Sequence, residues 1–279
     1  MPTVAEKRRT FRELHASGCF VLPNPWDIGS ARYLQHLGFK ALASSSAGFA
    51  FAQGRPDGAV ARETMLAHFR ELVDATDVPI NADFETGFAA DAAGVGESVR
   101  LCVATGVAGL SIEDSTGDKA NPLFSVEDAV ARMRAARTAI DAAGGDTLLI
   151  GRAECFLVGR PDLDETIRRL KAYAEAGADC LYSPGIRTAE QIEAVVKAAA
   201  PKPVNLLVGY ASELTVADYA AMGVRRISIG GAMARSAWGG FIRAARQLAD
   251  GRFGGLADAA PHAELSTFFR EDLAQRTSK

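Results

Sequence analysis

Residues 78–87 read Val-Pro-Ile-Asn-Ala-Asp-Phe-Glu-Thr-Gly. A short β-type run ends in two carboxylates one residue apart, then in a glycine. Along an extended strand the side chains at i and i+2 point the same way, so Asp83 and Glu85 face one space. Two anions held side by side repel unless a cation or a proton lies between them, and hard oxygen ligands suit Mg²⁺ or Mn²⁺. The competing reading is a solvated strand end carrying two ordinary acids. Recurrence decides between them.

The same event, an apolar run ending in polar residues, repeats along the chain. Gly109–Ile112 ends in Glu113-Asp114, and Thr147–Ile150 ends in Gly151-Arg152-Ala153-Glu154. Upstream, Ala41–Ala43 leads into Ser44-Ser45-Ser46-Ala47-Gly48. That stretch reads either as a backbone-rich anion cradle or as a plain serine turn. Further apolar runs lie at Cys19–Leu22, Asp179–Tyr182, Pro203–Leu207 and Arg226–Ile229. Amphipathic helices follow them, several stopped by glycine, such as Ile28–Leu37 before Gly38 and Leu163–Ala176 before Gly177. Ala234–Ala249 reads as the last barrel helix, and a further helix, Ala5–Ser17, precedes the first strand. Eight β-then-α units without a linker predict a parallel sheet closed into a (βα)₈ TIM-type barrel, one α/β domain over residues 1–279. The alternative is an open doubly wound sheet, but no GxGxxG follows any strand. In a barrel, active sites form at the C-terminal strand ends, which here carry Ser44–Ser46, Asp83/Glu85, Glu113/Asp114, Arg152/Glu154 and Asn205.

Composition narrows the function. A net charge of −3 gives no electrostatic case for nucleic acid or an anionic membrane. No apolar run is long enough to span a bilayer, the N-terminus lacks an apolar signal core, and the chain reads as cytoplasmic. The four cysteines have no metal-ligand spacing and read as buried hydrophobes in a reducing compartment. None of the four histidines falls at a strand end, and no Ser/His/Asp arrangement is apparent. What remains is a divalent ion held through acids, chelating a small anion gripped by Arg152 and the serine loop. The alternative for Arg152 is an interior salt bridge to Glu113 or Glu154.

Over nearly its whole length the chain resembles the isocitrate lyase / phosphoenolpyruvate mutase superfamily. The matching marks are Pro-Asn-Pro-Trp-Asp (23–27), Ser-Ser-Ser-Ala-Gly (44–48), Arg-Pro-Asp-Gly (55–58), Asp-Phe-Glu-Thr-Gly (83–87), Ser-Ile-Glu-Asp (111–114), Arg152 and Arg-Ile-Ser-Ile-Gly (226–230). The resemblance implies a Mg²⁺ (or Mn²⁺) barrel that works on a C–C or C–P bond beside an enolate, on 2-oxo acids or related dicarboxylates. It implies that Asp83 is the principal metal ligand, with Glu85 and Glu113 behind it, mostly through water. Ser44, Ser45 and Ser46 would hold one end of the substrate, Asp57 would sit near the metal, and Arg152 and Asn205 would bind substrate oxygens.

Two departures shape the expected activity. Members that cleave isocitrate or methylisocitrate carry a Lys-[Lys/Arg]-Cys-Gly-His loop after strand four, whose cysteine serves as acid. Here residues 114–122 read Asp-Ser-Thr-Gly-Asp-Lys-Ala-Asn-Pro, without Cys or His, which argues against those two activities. The loop's Lys119 and Asn121 resemble instead the Lys-x-Asn of phosphonopyruvate mutases and hydrolases, a catalytic pair, and the loop itself reads as a lid. Three functions stay open: a lyase or decarboxylase for an oxaloacetate-like 2-oxo acid, a phosphonopyruvate-type mutase or hydrolase, and a catalytically weak 2-oxo acid binder. The tail, residues 261–279, carries Leu265, Phe268, Phe269 and Leu273 at helical spacing after the eight units are complete. It reads as a helical segment swapped between subunits, commonly in a tetramer built from two dimers in the resembled family, or else as a stripe folded back on its own barrel.

Overall fold

The computed structural model describes residues 2–277; Met1, Ser278 and Lys279 lie outside the described residues, the last two within the expected tail. Helix α1 (Val4–Ala16) leads into β1 (Phe20–Leu22), α2 (Ile28–His36), β2 (Leu42–Ala43), α3 (Ser46–Ala52), α4 (Arg62–Ala75) and β3 (Ile80–Asp83). Then come α5 (Ala92–Val103), β4 (Gly109–Glu113), α6 (Val126–Ala142), β5 (Leu148–Arg152), α7 (Leu163–Glu175) and β6 (Cys180–Tyr182). The chain closes with α8 (Ala189–Ala199), β7 (Val204–Leu207), α9 (Val216–Ala221), β8 (Arg226–Ser228), α10 (Ala232–Ala249) and α11 (His262–Thr277).

Parallel pairing requires a crossover between strands, and the helices supply it. The strands run in the order β1-β8-β7-β6-β5-β4-β3-β2, all neighbours parallel. The two ends of that row meet where the Ala43 amide donates to the Pro23 carbonyl at 3.0 Å. The Asn24 side-chain amide, donating to the Ser44 carbonyl at 2.9 Å, reinforces the seam. The result is a nearly closed (βα)₈ barrel, not an open sheet.

One end of the barrel is sealed from the sequence upward. Phe11 of α1 is fully buried in a cluster with Leu22, Ala41, Leu148, Ile150 and Cys180. It presses so close to β4 that a Cβ on Gly109 would lie 2.7 Å from the Phe11 ring and 2.7 Å from Asn81 Oδ1. With the floor plugged, the C-terminal strand ends remain as the open mouth.

Three local features differ from the sequence reading. The serine stretch starts a helix, α3, because the Ser45 hydroxyl accepts the Gly48 amide as an N-cap and the small residues after it pack tightly. Glu85 lies beyond β3 rather than on it. Helix α10 does not seat as a barrel-wall helix: Ala234 is its one buried residue, while Trp238, Ile242 and Leu248 are exposed and Phe241 is 61% exposed. Tail helix α11 packs against α2 within this chain, one of the two arrangements that the sequence left open. Phe268 meets the rings of Tyr33 and His36 edge-on at 5.1 and 5.0 Å, and Asp272 pairs with Arg32 at 3.3 Å. The four cysteines are free, three of them buried. Among the described residues no helix is long and apolar enough to cross a membrane.

Candidate active site

At the barrel mouth a cavity of about 570 Å³ opens between β2, β3, β4, β5 and β8. The corner between β2 and β3 sets its first wall. The Asp83 amide donates to Ser44 Oγ at 2.8 Å, and the Ser46 amide, in the first turn of α3, donates to Asp83 Oδ2 at 3.0 Å. A buried serine hydroxyl and a helix-end N–H thus fix the carboxylate's direction. All three serines line the cavity. The Ser44 hydroxyl accepts the Asp83 amide and the Ser45 hydroxyl accepts the Gly48 amide, so Ser44 and the Ser46 amide brace Asp83 while Ser45 caps α3.

Glu85 reaches the same cavity by a different route from strand alternation. Its φ is +48°, in the left-handed region that side chains other than Gly, Asn and Asp rarely enter. The Glu113 amide donates to the Glu85 carbonyl at 3.0 Å, and Gly87 closes the turn onto Phe84. Burial, together with the Asp83, Glu113 and Asp57 carboxylates, pushes the Glu85 carboxyl up to about 8. Strain and like-charge repulsion therefore meet at one residue. Glu85→Asn should stabilise the fold by about 1 kcal/mol, since asparagine tolerates this backbone and carries no charge. A thermal melt reads this; a variant melting below the native protein would contradict it.

Arg152 is the hub. Its Nη1 lies 3.0 Å from Glu113 Oε2 and 3.2 Å from Asp83 Oδ1, its Nε pairs with Glu154 Oε1, and its guanidinium sits 5.2 Å from the Tyr182 ring centre. Burial opposes its charge, yet Glu113 and Glu154 outweigh burial and hold it well above its ordinary value. Burial raises the carboxyls in turn: Glu154 to about 8 against the pull of Arg152, and Glu113 upward with Asp83 adding to the effect. Asp57, on an exposed loop, is raised by burial of its carboxyl and by Asp83. One arginine cannot neutralise Asp57, Asp83, Glu85, Glu113 and Glu154 together. Without a cation the raised Glu85 and Glu154 carboxyls hold protons near neutral pH; a bound cation would take the place of those protons and let the acids of this cavity ionise.

That donor set suits a hard divalent ion. Among the described residues no three His, Cys, Asp or Glu side chains converge closely enough to chelate one ion directly. Mg²⁺ keeps several of its waters and needs only one or two carboxylates in direct contact, so an all-oxygen set around Asp83 fits it.

The remaining expected site residues divide. Asn205 is fully buried below the mouth, does not line the cavity, and has its amide engaged at both ends: Nδ2 donates to Ser228 Oγ and Oδ1 accepts from Arg226 Nε. It is the second residue of four on β7, so it sits one level below the strand end at which the sequence reading placed it. Lys119 and Asn121 sit on the exposed tip of a hairpin and do not line the cavity. A β-bridge between Ser115 and Leu123 and the Thr116 amide bonded to the Pro122 carbonyl hold that hairpin, whose base lends Ser115, Thr116 and Gly117 to the rim. Asp114 points away from the mouth, where it takes Tyr173 and Arg169 and accepts the Glu154 amide at 2.8 Å. Four lining residues had been given no role in the site: Tyr182, and Asn24, Arg226 and Ser228 from the matching motifs. Asn24 clamps the Ile229 and Gly230 amides, both at 3.0 Å. Alternation on β8 puts Arg226 and Ser228 on one face, which was the available signal.

A parallel barrel whose mouth gathers five acids around Arg152, with Arg226 beneath, has its polar groups where barrel enzymes carry their sites. The family model for phosphoenolpyruvate phosphomutase matches residues 11–249, and the chain belongs to that family, within the isocitrate lyase / phosphoenolpyruvate mutase superfamily. It is an enzyme of the superfamily's lyase type and not an isocitrate or methylisocitrate lyase. A solved structure from Burkholderia cenocepacia J2315 superposes with a TM-score of 0.92 at 44% identity, over 96% of this chain and 97% of that one. The oxaloacetate decarboxylase of Bradyrhizobium diazoefficiens is 30% identical over 98% of this chain and 92% of its own length. A phosphonopyruvate hydrolase in complex with oxalate and Mg²⁺ superposes with a TM-score of 0.84 at 27% identity, over 97% of each chain.

Proposed function

We propose that this chain is a Mg²⁺-dependent lyase that decarboxylates or cleaves a small 2-oxo dicarboxylate of the oxaloacetate type through an enolate. The observation that carries this reading is the excess of carboxylates over cations at the mouth, with Arg152 at its centre. Asp83 would hold the ion directly, Glu85 and Glu113 through water, with Asp57 close by. When bound, such an ion stabilises negative charge developing on the 2-oxo oxygen. Arg152 grips the substrate carboxylate, and its planar fork fixes the orientation. Ser44 and Ser46 keep Asp83 aimed, and Ser115–Gly117 at the rim help to exclude water. Decarboxylation suits a loop without Cys or His. Breaking the C3–C4 bond releases CO₂ and leaves the electron pair in the enolate, which takes a proton at C3 from water to give the 2-oxo acid product. A retro-aldol cleavage would need, in addition, a base to take the proton of the substrate hydroxyl.

A panel of 2-oxo acids with products read by mass spectrometry tests the chemistry. Pyruvate from oxaloacetate is expected; phosphate released from phosphonopyruvate would move the reading to P–C chemistry. Turnover of nothing in the panel would leave a 2-oxo acid binder.

The assembly is proposed to be a homo-oligomer, a tetramer as a dimer of dimers. The uncovered face of α10 supports this more strongly than the tail helix, which rests on α2. Burying Trp238, Phe241 and Ile242 against a second copy would contribute on the order of 5–8 kcal/mol before entropy costs. Phe241→Asp should therefore shift sedimentation to smaller species, and a native protein sedimenting as a monomer at micromolar concentration would overturn the proposal.

A further inference from the structure

Arg226 is only 2% exposed, yet it lines the floor of the mouth cavity together with Asn81, Tyr182 and Ser228. Its contacts are all with neutral side chains. Nε donates to Asn205 Oδ1 at 2.8 Å, and Nη1 faces Asn81 Oδ1 at 3.3 Å and His15 Nε2 at 3.4 Å. The His15 ring bonds the Phe11 carbonyl through Nδ1 at 2.7 Å, so Nδ1 carries the proton and Nε2 is an acceptor. Nη2 donates to none of these groups. Among the described residues no carboxylate pairs with Arg226. The contrast with Arg132 is informative. That arginine, 3% exposed, bonds the backbone carbonyls of Thr86, Ala89 and Ala90 and stitches a loop down. The Arg226 guanidinium meets side-chain groups rather than backbone carbonyls, and it faces a cavity.

Strand register fixes where this charge lies. Glu113, Arg152, Tyr182, Asn205 and Arg226 are successive Cα partners across β4 to β8. They begin at the last residue of β4 and end at the first residue of β8. Because barrel strands are tilted and staggered, that row descends from mouth to floor. One cavity therefore carries an acid cluster with Arg152 above and a cation without a counter-ion below. Arg226 lies two residues, roughly 6.6 Å, beneath Ser228 along the strand.

Building on the reading of the site as a 2-oxo acid lyase, we propose that Arg226 determines its specificity for dianions. Its guanidinium, braced by Asn205, Asn81 and His15, binds the carboxylate remote from the 2-oxo group when the substrate docks, while the mouth holds the 2-oxo carboxylate end. A buried charge faced only by neutral acceptors draws an anion into the cavity, and a second carboxylate on the substrate supplies one. This gives Asn205 a positioning role through Arg226 in place of direct contact.

The test is calorimetry with Mg²⁺ on three probes: oxalate, malate and 2-hydroxybutanoate. The last two are four-carbon 2-hydroxy acids that differ only in the distal group, and oxalate reads the mouth alone. The native protein should prefer malate by about 100-fold, the scale of a buried charge-assisted contact. Arg226→Met should reduce that preference to a few-fold while leaving the oxalate Kd within about threefold. Arg226→Lys keeps the charge without the fork, should lose about tenfold of the preference, and decides the matter if the methionine variant does not fold. A malate preference that persists in the folded variants, or is missing in a native protein that still binds oxalate, would overturn the role of Arg226 alone. A native protein that binds none of the three overturns the reading of the site and this proposal with it.

Discussion

Asp83→Asn should abolish Mg²⁺-dependent oxalate binding and lower kcat/KM on 2-oxo acids by about 10³-fold, while the fold survives. The carboxylate accepts the Ser46 amide through Oδ2 and faces Arg152 through Oδ1. Asparagine keeps one oxygen for those donors but removes the negative charge, and a metal ion contributes several kcal/mol of charge stabilisation in sites of this kind. Little apolar packing changes, and one source of repulsion on Glu85 disappears. The melting temperature should therefore stay within a few degrees of native. Full Mg²⁺-dependent activity in this variant would show that the metal assignment is wrong.

Arg152→Lys should weaken ligand binding by about 2–3 kcal/mol, because a point charge replaces a planar fork. The geometry sharpens the expectation. Arg152 meets Asp83, Glu113 and Glu154 at once, and an ammonium cannot reproduce that spread. Arg152→Ala should in addition destabilise the fold by roughly 3–5 kcal/mol, the usual effect of removing one partner from a buried ion pair. Steady-state kinetics beside thermal melts separate the two roles. A lysine variant with native kcat and KM but a lower melting temperature would reduce Arg152 to an interior salt bridge.

How far the sequence carried depended on the scale of the pattern. Strand–helix alternation is a whole-chain signal, and the barrel followed from it. The gathering of Asp83, Glu113 and Arg152 at the mouth followed from strand ends, because β3, β4 and β5 stop within a residue or so of those positions. Glu85 was placed in the right cavity by the wrong geometry: alternation was assumed where the backbone turns left-handed. The depth of Asn205 and Arg226 in the barrel was not legible because shear lowers β7 and β8 relative to β4, and stagger cannot be read from one strand at a time. The free face of α10 was illegible for a further reason. Its apolar spacing is that of any wall helix, and only the exposure of Trp238, Phe241, Ile242 and Leu248 in the folded chain sets it apart.

The central claim is a divalent-cation-dependent site for small 2-oxo acids, and oxalate titration with and without Mg²⁺ tests it most directly. Calorimetry on the native protein should give saturable oxalate binding in Mg²⁺ that EDTA removes and that Asp83→Asn lacks. Oxalate binding of equal strength in EDTA, or an unaltered isotherm for Asp83→Asn, would contradict the account.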